Sequence, residues 1–159
     1  MDWTPGDIDG VVITPLKQHS DPRGWLGELF RSDETPAELM PAMAYVSMTY
    51  PGVTRGPHEH VDQTDTFGFV GPGTFRLKLW DARRDSPTYG YCLTVDAGAG
   101  NPAIAVVPPG VVHGYRNVSD ENGLVLNFPN RLYAGRQRRE PVDEIRHEDE
   151  PDGAFRMDD

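Results

Sequence analysis

The sequence is poor in cysteine and has no long apolar run. Its single cysteine, Cys92, excludes an intrachain disulfide, and this suits a reducing compartment. No apolar run is long enough to span a bilayer, and the first residues lack the basic and apolar regions of a signal peptide. We therefore predict a cytoplasmic protein without a membrane partner, in which Cys92 is a buried thiol on a strand rather than a nucleophile.

Positive charge is also scarce. The chain has 15 Lys and Arg residues against 25 Asp and Glu residues, which gives a net charge of −10. Binding to a nucleic-acid backbone needs a basic surface, so nucleic acid is excluded as a partner, whereas one anionic ligand held by local arginines is not. Many of the acidic residues lie in the last twenty positions. We interpret residues 136–159 as an acidic C-terminal tail that is solvated or partly disordered.

The sequence contains no long amphipathic helical pattern. Instead, eight or more short segments are separated by turns, to which the 17 glycines and 15 prolines contribute. Ala44–Tyr50 and Thr74–Asp81 alternate between two kinds of side chain with a period of two, which is typical of strands with distinct faces. The pattern predicts a single all-β domain over residues 1–135, a barrel or sandwich and most simply a jelly roll.

Two histidines stand two residues apart in the stretch from Arg55 to Asp65. On a strand, residues i and i+2 point to the same face, so His58 and His60 are expected to share one space, with Asp65 within reach. A neutral imidazole accepts protons near physiological pH and is also the commonest metal ligand. The residues alone leave both an acid–base site and a metal site open.

A third histidine completes a resemblance to a known superfamily. The spacing Pro108-x-Gly110-x-x-His113-x-x-x-Asn117, together with Gly52, His58, His60 and Asp65, resembles the two motifs of the cupins. That resemblance implies a cupin jelly roll, which is a double-stranded β-helix. It also implies that His58, His60, Asp65 and His113 converge inside the barrel, where they could bind a divalent metal.

Four ordered segments resemble a narrower family, the dTDP-4-dehydrorhamnose 3,5-epimerases. The segments are Asp21-Pro22-Arg23-Gly24-Trp25-Leu26-Gly27-Glu28, Arg55-Gly56-Pro57-His58, Asp81-Ala82-Arg83-Arg84-Asp85-Ser86-Pro87-Thr88-Tyr89-Gly90 and Pro108-Pro109-Gly110-Val111-Val112-His113-Gly114. The resemblance implies an isomerase-class enzyme that acts on a nucleotide-diphosphate sugar with a ketone at C4 and requires no cofactor.

The same resemblance implies roles for individual residues. His58 would be the base that removes a proton next to the ketone. Arg23 and Glu28 would bind the diphosphate and the nucleobase, and His113 would line the pocket. Arg55 is a further candidate for a phosphate contact, because its planar guanidinium suits the oxygens. Family members are dimers that exchange N-terminal strands, which implies a homodimer with Arg23 in the neighbouring subunit's site.

The chain departs from this family at four positions. Our alignment places Thr66 at the family's catalytic lysine and Asn127 at its acid tyrosine, so Asn127 becomes a substrate-binding candidate. Tyr133 aligns with a second family tyrosine and could supply the acid. Asp65 could replace the aspartate that pairs with the base. His60 is present, although the family usually lacks it.

Three hypotheses remain open at this point. The first is a sugar-nucleotide epimerase or isomerase that uses His58 as its base. The second is a metal-dependent cupin of other chemistry, with His58, His60, Asp65 and His113 as ligands. The third is a non-catalytic sugar-binding cupin, which the absent lysine and tyrosine would explain.

Overall fold

A computed structural model describes residues 2–150 and 153–158. Within them the chain forms thirteen strands and two short 3-10 helices, Ala37–Leu39 and Arg136–Arg138. The strands in chain order are β1 (Thr4–Pro5), β2 (Val12–Pro15), β3 (His19–Asp21), β4 (Gly24–Leu26), β5 (Tyr45–Thr49), β6 (Thr54–Glu59), β7 (Asp65–Phe69), β8 (Thr74–Asp81), β9 (Tyr91–Gly98), β10 (Ala103–Val107), β11 (Val111–Asn117), β12 (Gly123–Asn127) and β13 (Ile145–Arg146).

Two sheets enclose one apolar core. The larger sheet has the order β1-β9-β8-β11-β6-β13, the smaller has the order β2-β10-β7-β12-β5, and β3 and β4 form a separate hairpin. The core takes side chains from both sheets, including Phe67, Phe69, Phe75, Leu77, Leu79, Val107, Val111, Tyr115 and Val125. The predicted fold class, an all-β cupin jelly roll in a single domain, is confirmed.

The period of two explains how one strand serves both the core and the surface. In β8, Phe75, Leu77 and Leu79 are at most 1% exposed and fill the core. Between them, Arg76 and Lys78 point to the outer face. Arg76 pairs there with Asp96, and the Nζ of Lys78 donates a hydrogen bond to the carbonyl of Arg156 at 2.7 Å.

The acidic C-terminal segment, predicted to be solvated, contacts the larger sheet at its described residues. β13 pairs with β6, opposite Glu59 and His58. Further along, Phe155 and Met157 pack with Trp80 and Val112 in a second apolar cluster. The segment carries apolar side chains at the positions that meet the sheet, which a net charge cannot reveal. The domain boundary at residue 135 stays a prediction.

The β3–β4 hairpin ends at Leu26, and the chain then packs closely at the end of β2, since a Cβ at Gly27 would lie 2.8 Å from the side chain of Leu16. A 3-10 helix follows at Ala37–Leu39. The part of the chain that the structure describes contains no helix with the length and apolarity of a membrane span.

Candidate functional site

A cavity of about 1080 Å³ opens between the two sheets and the C-terminal segment. Its wall includes His58 and His60 from the larger sheet and Tyr45 from the smaller one. Residues 129–148 contribute the rest of the rim, with Tyr133 and several arginines among them. The volume suits a ligand of the size of a nucleotide sugar, since ligand pockets commonly span about 300–1,000 Å³.

His58 and His113 are placed by the pairing of β6 with β11. The two residues lie directly opposite each other across these strands, and their ring centroids are 4.5 Å apart. The close approach depends on Gly56, whose φ is +80°. A Cβ at Gly56 would lie 2.8 Å from the carbonyl oxygen of His113, so no larger residue fits here.

His60 and Asp65 complete a cluster of four. His60 follows β6, and Asp65 begins β7 in the opposite sheet, so the cluster joins the two sheets at one end of the barrel. One ligand atom from each of His58, His60, Asp65 and His113 lies within 4.8 Å of the other three. The structure therefore brings together the four side chains that the cupin resemblance implies, at a spacing that a single metal ion could bridge.

The carboxylate of Asp65 is the centre of this cluster and is 1% exposed. Its Oδ1 accepts hydrogen bonds from the side-chain amides of Gln63 at 2.9 Å and Asn127 at 3.0 Å. Its Oδ2 lies 3.0 Å from Nε2 of His60 and 3.2 Å from Nε2 of His113. The amides hold the carboxylate so that one oxygen faces the imidazoles.

Backbone carbonyls fix the orientation of two imidazole rings. The Nδ1 of His113 lies 3.0 Å from the carbonyl oxygen of Val111, and the Nδ1 of His60 contacts the carbonyl oxygen of Asp143. A carbonyl can only accept, so each Nδ1 carries the proton and donates it. Both Nε2 atoms face Oδ2 of Asp65, and Nε2 of His60 also lies 3.2 Å from the side-chain amide nitrogen of Gln63.

The direction of the pKa shift differs among the residues of the cluster. Burial and the neighbouring His113 and His60 lower the pKa of His58 to about 3, so its imidazole is neutral at neutral pH. Burial lowers the pKa of His60, but its hydrogen bond with Asp65 outweighs this and the net shift is upward. Burial raises the pKa of Asp65, yet His113 and His60 lower it by more, so this carboxylate stays ionised.

Other predicted site residues lie at various distances from this cluster. Asn127 supports Asp65 and also donates a hydrogen bond to the hydroxyl of Tyr45 at 2.8 Å. Tyr133 lines the cavity and is 58% exposed. Arg55 lines it too, with its guanidinium donating to Thr49 and to the carbonyl of Met48.

Arg23 and Glu28 do not line this cavity within one chain. Arg23 lies in the β3–β4 hairpin and pairs with Asp21, and Glu28 borders a different cavity next to the smaller sheet. Thr66, which our alignment puts at the family's lysine position, borders that second cavity as well. Successive residues of a strand face opposite sides, so the residues of β7 that face the cluster side are Asp65 and Phe67.

Sequence reasoning missed three contributors to the site. Asp143 accepts hydrogen bonds from the backbone N–H groups of Val61, Asp62 and Gln63, and its carbonyl orients His60. Gln63 and Tyr45 were not singled out either. The alternation of Tyr45 with its neighbours placed it on one face of a strand, and this was the available signal. Nothing in the sequence marks Asp143 among so many acidic residues.

Comparison with known proteins identifies the family of this chain. The sequence profile of the family described as dTDP-4-dehydrorhamnose 3,5-epimerase matches residues 5–149. The "Probable low-salt glycan biosynthesis epimerase Agl13" of Haloferax volcanii is 40% identical over 129 residues, covering 80% of this chain and 81% of that protein. The "Spore coat polysaccharide biosynthesis protein SpsL" of Bacillus subtilis is 37% identical over 126 residues, covering 79% and 82%.

A solved structure shares the fold. The dTDP sugar isomerase of Desulfovibrio desulfuricans G20 superimposes with a TM-score of 0.78, covering 91% of this chain and 87% of that one at 24% identity. The profile spans nearly the whole sequence. The Haloferax volcanii relative is 40% identical to this chain over most of the length of both proteins. The chain therefore belongs to the dTDP-4-dehydrorhamnose 3,5-epimerase family, a family of isomerase-class sugar-nucleotide epimerases.

Proposed function

We propose that this chain epimerises a nucleotide-diphosphate sugar at a carbon next to a C4 ketone, with a 4-keto-6-deoxy sugar such as dTDP-4-dehydrorhamnose as the substrate class. Membership of the family supports the reaction type. The observation that carries the proposal to this chain is the position of His58, a neutral imidazole on the wall of a cavity large enough for such a substrate.

The proposed reaction is a proton transfer. The ketone acidifies the adjacent C–H bond, the free nitrogen of His58 takes the proton, and the electron pair moves into an enolate. A proton returned to the opposite face of the carbon inverts its configuration and restores the ketone. The atoms balance without a cofactor, and a positioned base of this kind typically contributes about 10²–10⁴-fold to the rate.

Two tyrosines are candidates for the acid that returns the proton. Tyr133 is the candidate from the sequence, and it lines the cavity. Tyr45 lines it as well, and its hydroxyl is tied through Asn127 to Asp65 in the cluster. The hydroxyl of Tyr45 accepts a hydrogen bond from Asn127, so its own proton is free to be donated. This connection to the cluster favours Tyr45.

Guanidinium groups at the cavity rim are proposed to bind the diphosphate. Arg131, Arg136 and Arg138 line the cavity, together with Arg146, which pairs with Glu144. Five carboxylates line it too, at Asp62, Glu140, Asp143, Glu144 and Glu148. Guanidinium groups match the geometry of phosphate oxygens. Arg55 is proposed as a further phosphate contact. Arg23, Glu28 and the hairpin that carries them are proposed to serve the cavity of a neighbouring subunit.

A homodimer is therefore part of the proposal. The outer face of the smaller sheet is apolar: Val46 and Met48 are 58% and 42% exposed, and Leu126 and Leu124 lie opposite them in the ladder. Side chains directly opposite in a ladder share one face. Light scattering after size exclusion should give a dimer mass, and Val46→Lys should reduce it to the monomer mass. A monomeric wild type would overturn this part of the proposal.

Deuterium wash-in tests the reaction. The protein is incubated in D₂O with dTDP-4-keto-6-deoxyglucose after removal of metal by a chelator, and the C3 and C5 protons of the sugar are followed by NMR. We expect loss of at least one of these signals, and the position lost names the carbon. The exchange should fall by about 10²–10⁴-fold in His58→Asn.

Two comparisons make the result specific. Asp96→Asn changes an exposed carboxylate that pairs with Arg76 and does not line the cavity, and it should exchange like wild type. Tyr45→Phe and Tyr133→Phe, tested in parallel, separate the two acid candidates by which one stops inversion. Undiminished exchange in a folded His58→Asn variant removes His58 as the base. If the protein binds nucleotide sugars but exchanges no proton at either carbon, the enzyme hypothesis is wrong and the protein is a sugar-binding protein.

A further inference from the structure

We infer that His58, His60, Asp65 and His113 form a binding site for one divalent transition-metal ion, of the class of Zn²⁺, Fe²⁺, Mn²⁺ or Ni²⁺. The site uses part of the cavity assigned above to the sugar, but the inference does not depend on the proposed reaction. It rests on four features of the cluster: its spacing, the orientation of its imidazole rings, one unpaired buried nitrogen and the chemistry of its donors.

The spacing is that of a nearly formed coordination sphere. Metal–ligand bonds to imidazole nitrogen and carboxylate oxygen are about 2.0–2.2 Å, so ligand atoms around a tetrahedral ion lie about 3.4 Å apart. In the cluster, Oδ2 of Asp65 is already 3.0 Å from His60 and 3.2 Å from His113, and all four ligand atoms lie within 4.8 Å of one another. Side-chain rotations alone could close the remaining gap.

The orientation of the imidazole rings is that of metal ligands. A ligating histidine usually donates its other ring N–H to a carbonyl or carboxylate, which fixes the tautomer. His60 and His113 each do this, to the carbonyls of Asp143 and Val111. Asp65 is held likewise, because Gln63 and Asn127 occupy Oδ1 and leave Oδ2 facing inward. The groups that support the ligands are thus in place.

The centre of the cluster contains a buried polar atom without a hydrogen-bond partner in the part of the chain that the structure describes. Nε2 of His60 has the side-chain amide of Gln63 at 3.2 Å, so the unpaired nitrogen is that of His113. Nε2 of His113 is 2% exposed at its side chain and has no hydrogen-bond partner among the described residues. A buried atom of this kind calls for an explanation, and a cation between the nitrogens and the carboxylate supplies one.

The donor set selects the class of ion. Three nitrogens and one carboxylate oxygen suit borderline metals such as Zn²⁺, Fe²⁺, Mn²⁺ and Ni²⁺. Ca²⁺ and Mg²⁺ prefer shells made of oxygen, and the cluster contains no thiolate for softer ions. His58 faces the cavity, where a fifth ligand or a substrate oxygen could approach the ion.

Metal binding is measured directly and without substrate. The full chain is stripped with a chelator, loaded with one ion at a time and desalted, and the metal is counted by mass spectrometry and by calorimetric titration. We expect about one ion per chain for at least one of the four metals. Co²⁺ loading should give visible d–d absorption bands of a nitrogen- and oxygen-ligated ion.

Variants tie the ion to this cluster. His60→Ala and Asp65→Asn should each lower the affinity by about 100-fold or more, whereas Asp96→Asn, at an exposed carboxylate that pairs with Arg76, should bind like wild type. Circular dichroism of the metal-free variants checks that each is folded. No retained metal and no heat of binding in wild type would overturn the inference, as would equal stoichiometry and affinity in wild type and a folded Asp65→Asn variant.

The metal site and the proposed reaction fail in distinguishable ways. Metal content is read without substrate, and the exchange experiment is run on the metal-free protein. A protein that binds metal but exchanges no protons keeps the metal site and loses the proposed function. A protein that exchanges protons but binds no metal keeps the proposed function and loses the metal site.

Discussion

Two buried aspartates, at Asp65 and Asp81, show how differently this chain uses a carboxylate. Asp81 is fully buried at the end of β8, and both of its oxygens are surrounded by donors from Arg83, Ser86 and Thr88. Asp65 is equally buried, but its amide donors, Gln63 and Asn127, reach only Oδ1, and Oδ2 faces the Nε2 atoms of two imidazoles.

The contrast separates a structural network from a site. The Asp81 network is satisfied within itself, and a satisfied buried network adds rigidity. At Asp65, two buried side-chain atoms, Nε2 of His113 and Oδ1 of Asn127, have no hydrogen-bond partner among the described residues. Asp81 lies in one of the four segments that resemble the epimerase family, whereas Asp65 lies outside them.

Metal loading should produce the largest effect, because it uses the lone pair that His58 needs as a base. Saturating Zn²⁺ is expected to slow deuterium exchange by about 10²–10⁴-fold, and a chelator should restore it. The measurement is wash-in by NMR at increasing Zn²⁺, with Asp65→Asn as a variant that binds the ion poorly. Faster exchange in the presence of metal would show that His58 is not the base.

Asp81→Asn should give the next largest effect, on stability. Removal of one partner from a buried ionic network costs about 3–5 kcal/mol, and urea unfolding should show the loss while metal binding is retained. Burial raises the pKa of Asp81, but its hydrogen bonds with Arg83, Ser86 and Thr88 lower it by more, so the net shift is downward.

This shift gives the prediction a pH dependence. A lowered folded-state pKa stabilises the fold above the unfolded value of about 3.9, and the contribution is lost as the pH falls below it. The difference in unfolding free energy between wild type and Asp81→Asn should therefore shrink below about pH 4. An unchanged difference between pH 7 and pH 3 would contradict the assignment.

Asn127→Leu should have a smaller effect, on the metal site. The change keeps the side-chain volume and removes the amide that positions Asp65 and contacts Tyr45. Groups that orient a metal ligand typically contribute about 10–100-fold in affinity, so calorimetry with Zn²⁺ should show a loss in that range. Unaltered affinity in a folded variant would mean that Gln63 alone positions the carboxylate.

Ser86→Ala is the matching change in the Asp81 network and should have the smallest effect. It removes one hydroxyl donor and leaves Arg83 and Thr88 on the same carboxylate. The expected cost is about 1–3 kcal/mol in urea unfolding, with no change in metal affinity. A fall in metal affinity would show that the two networks are coupled.

The parts of the site that the sequence predicted are those with local or strongly patterned causes. His58 and His60 share a space because strand residues two apart face the same side, and Asp65 follows closely in the chain. His113 could be placed only by resemblance, since no local pattern says which strand lies beside β6. The all-β fold followed from alternation and turns in the same way.

The parts that escaped prediction depend on long-range contacts or on a shift of one residue. Thr66 was aligned with a family lysine, but a one-residue shift on a strand moves a side chain to the other face. Asp143 orients His60 from 83 positions away, through a backbone carbonyl that any residue would carry. Neither fact has a signature in the identity of the residues.

The contact between His60 and Asp143 also sets an order of events during synthesis of the chain. The three histidines and Asp65 have all been made by residue 113, but the carbonyl that fixes the ring of His60 belongs to residue 143. The same aspartate secures the loop after His60 through three backbone N–H groups. A nascent chain can thus build the barrel around an unfinished pocket, and the pocket is completed only when the C-terminal segment closes over it.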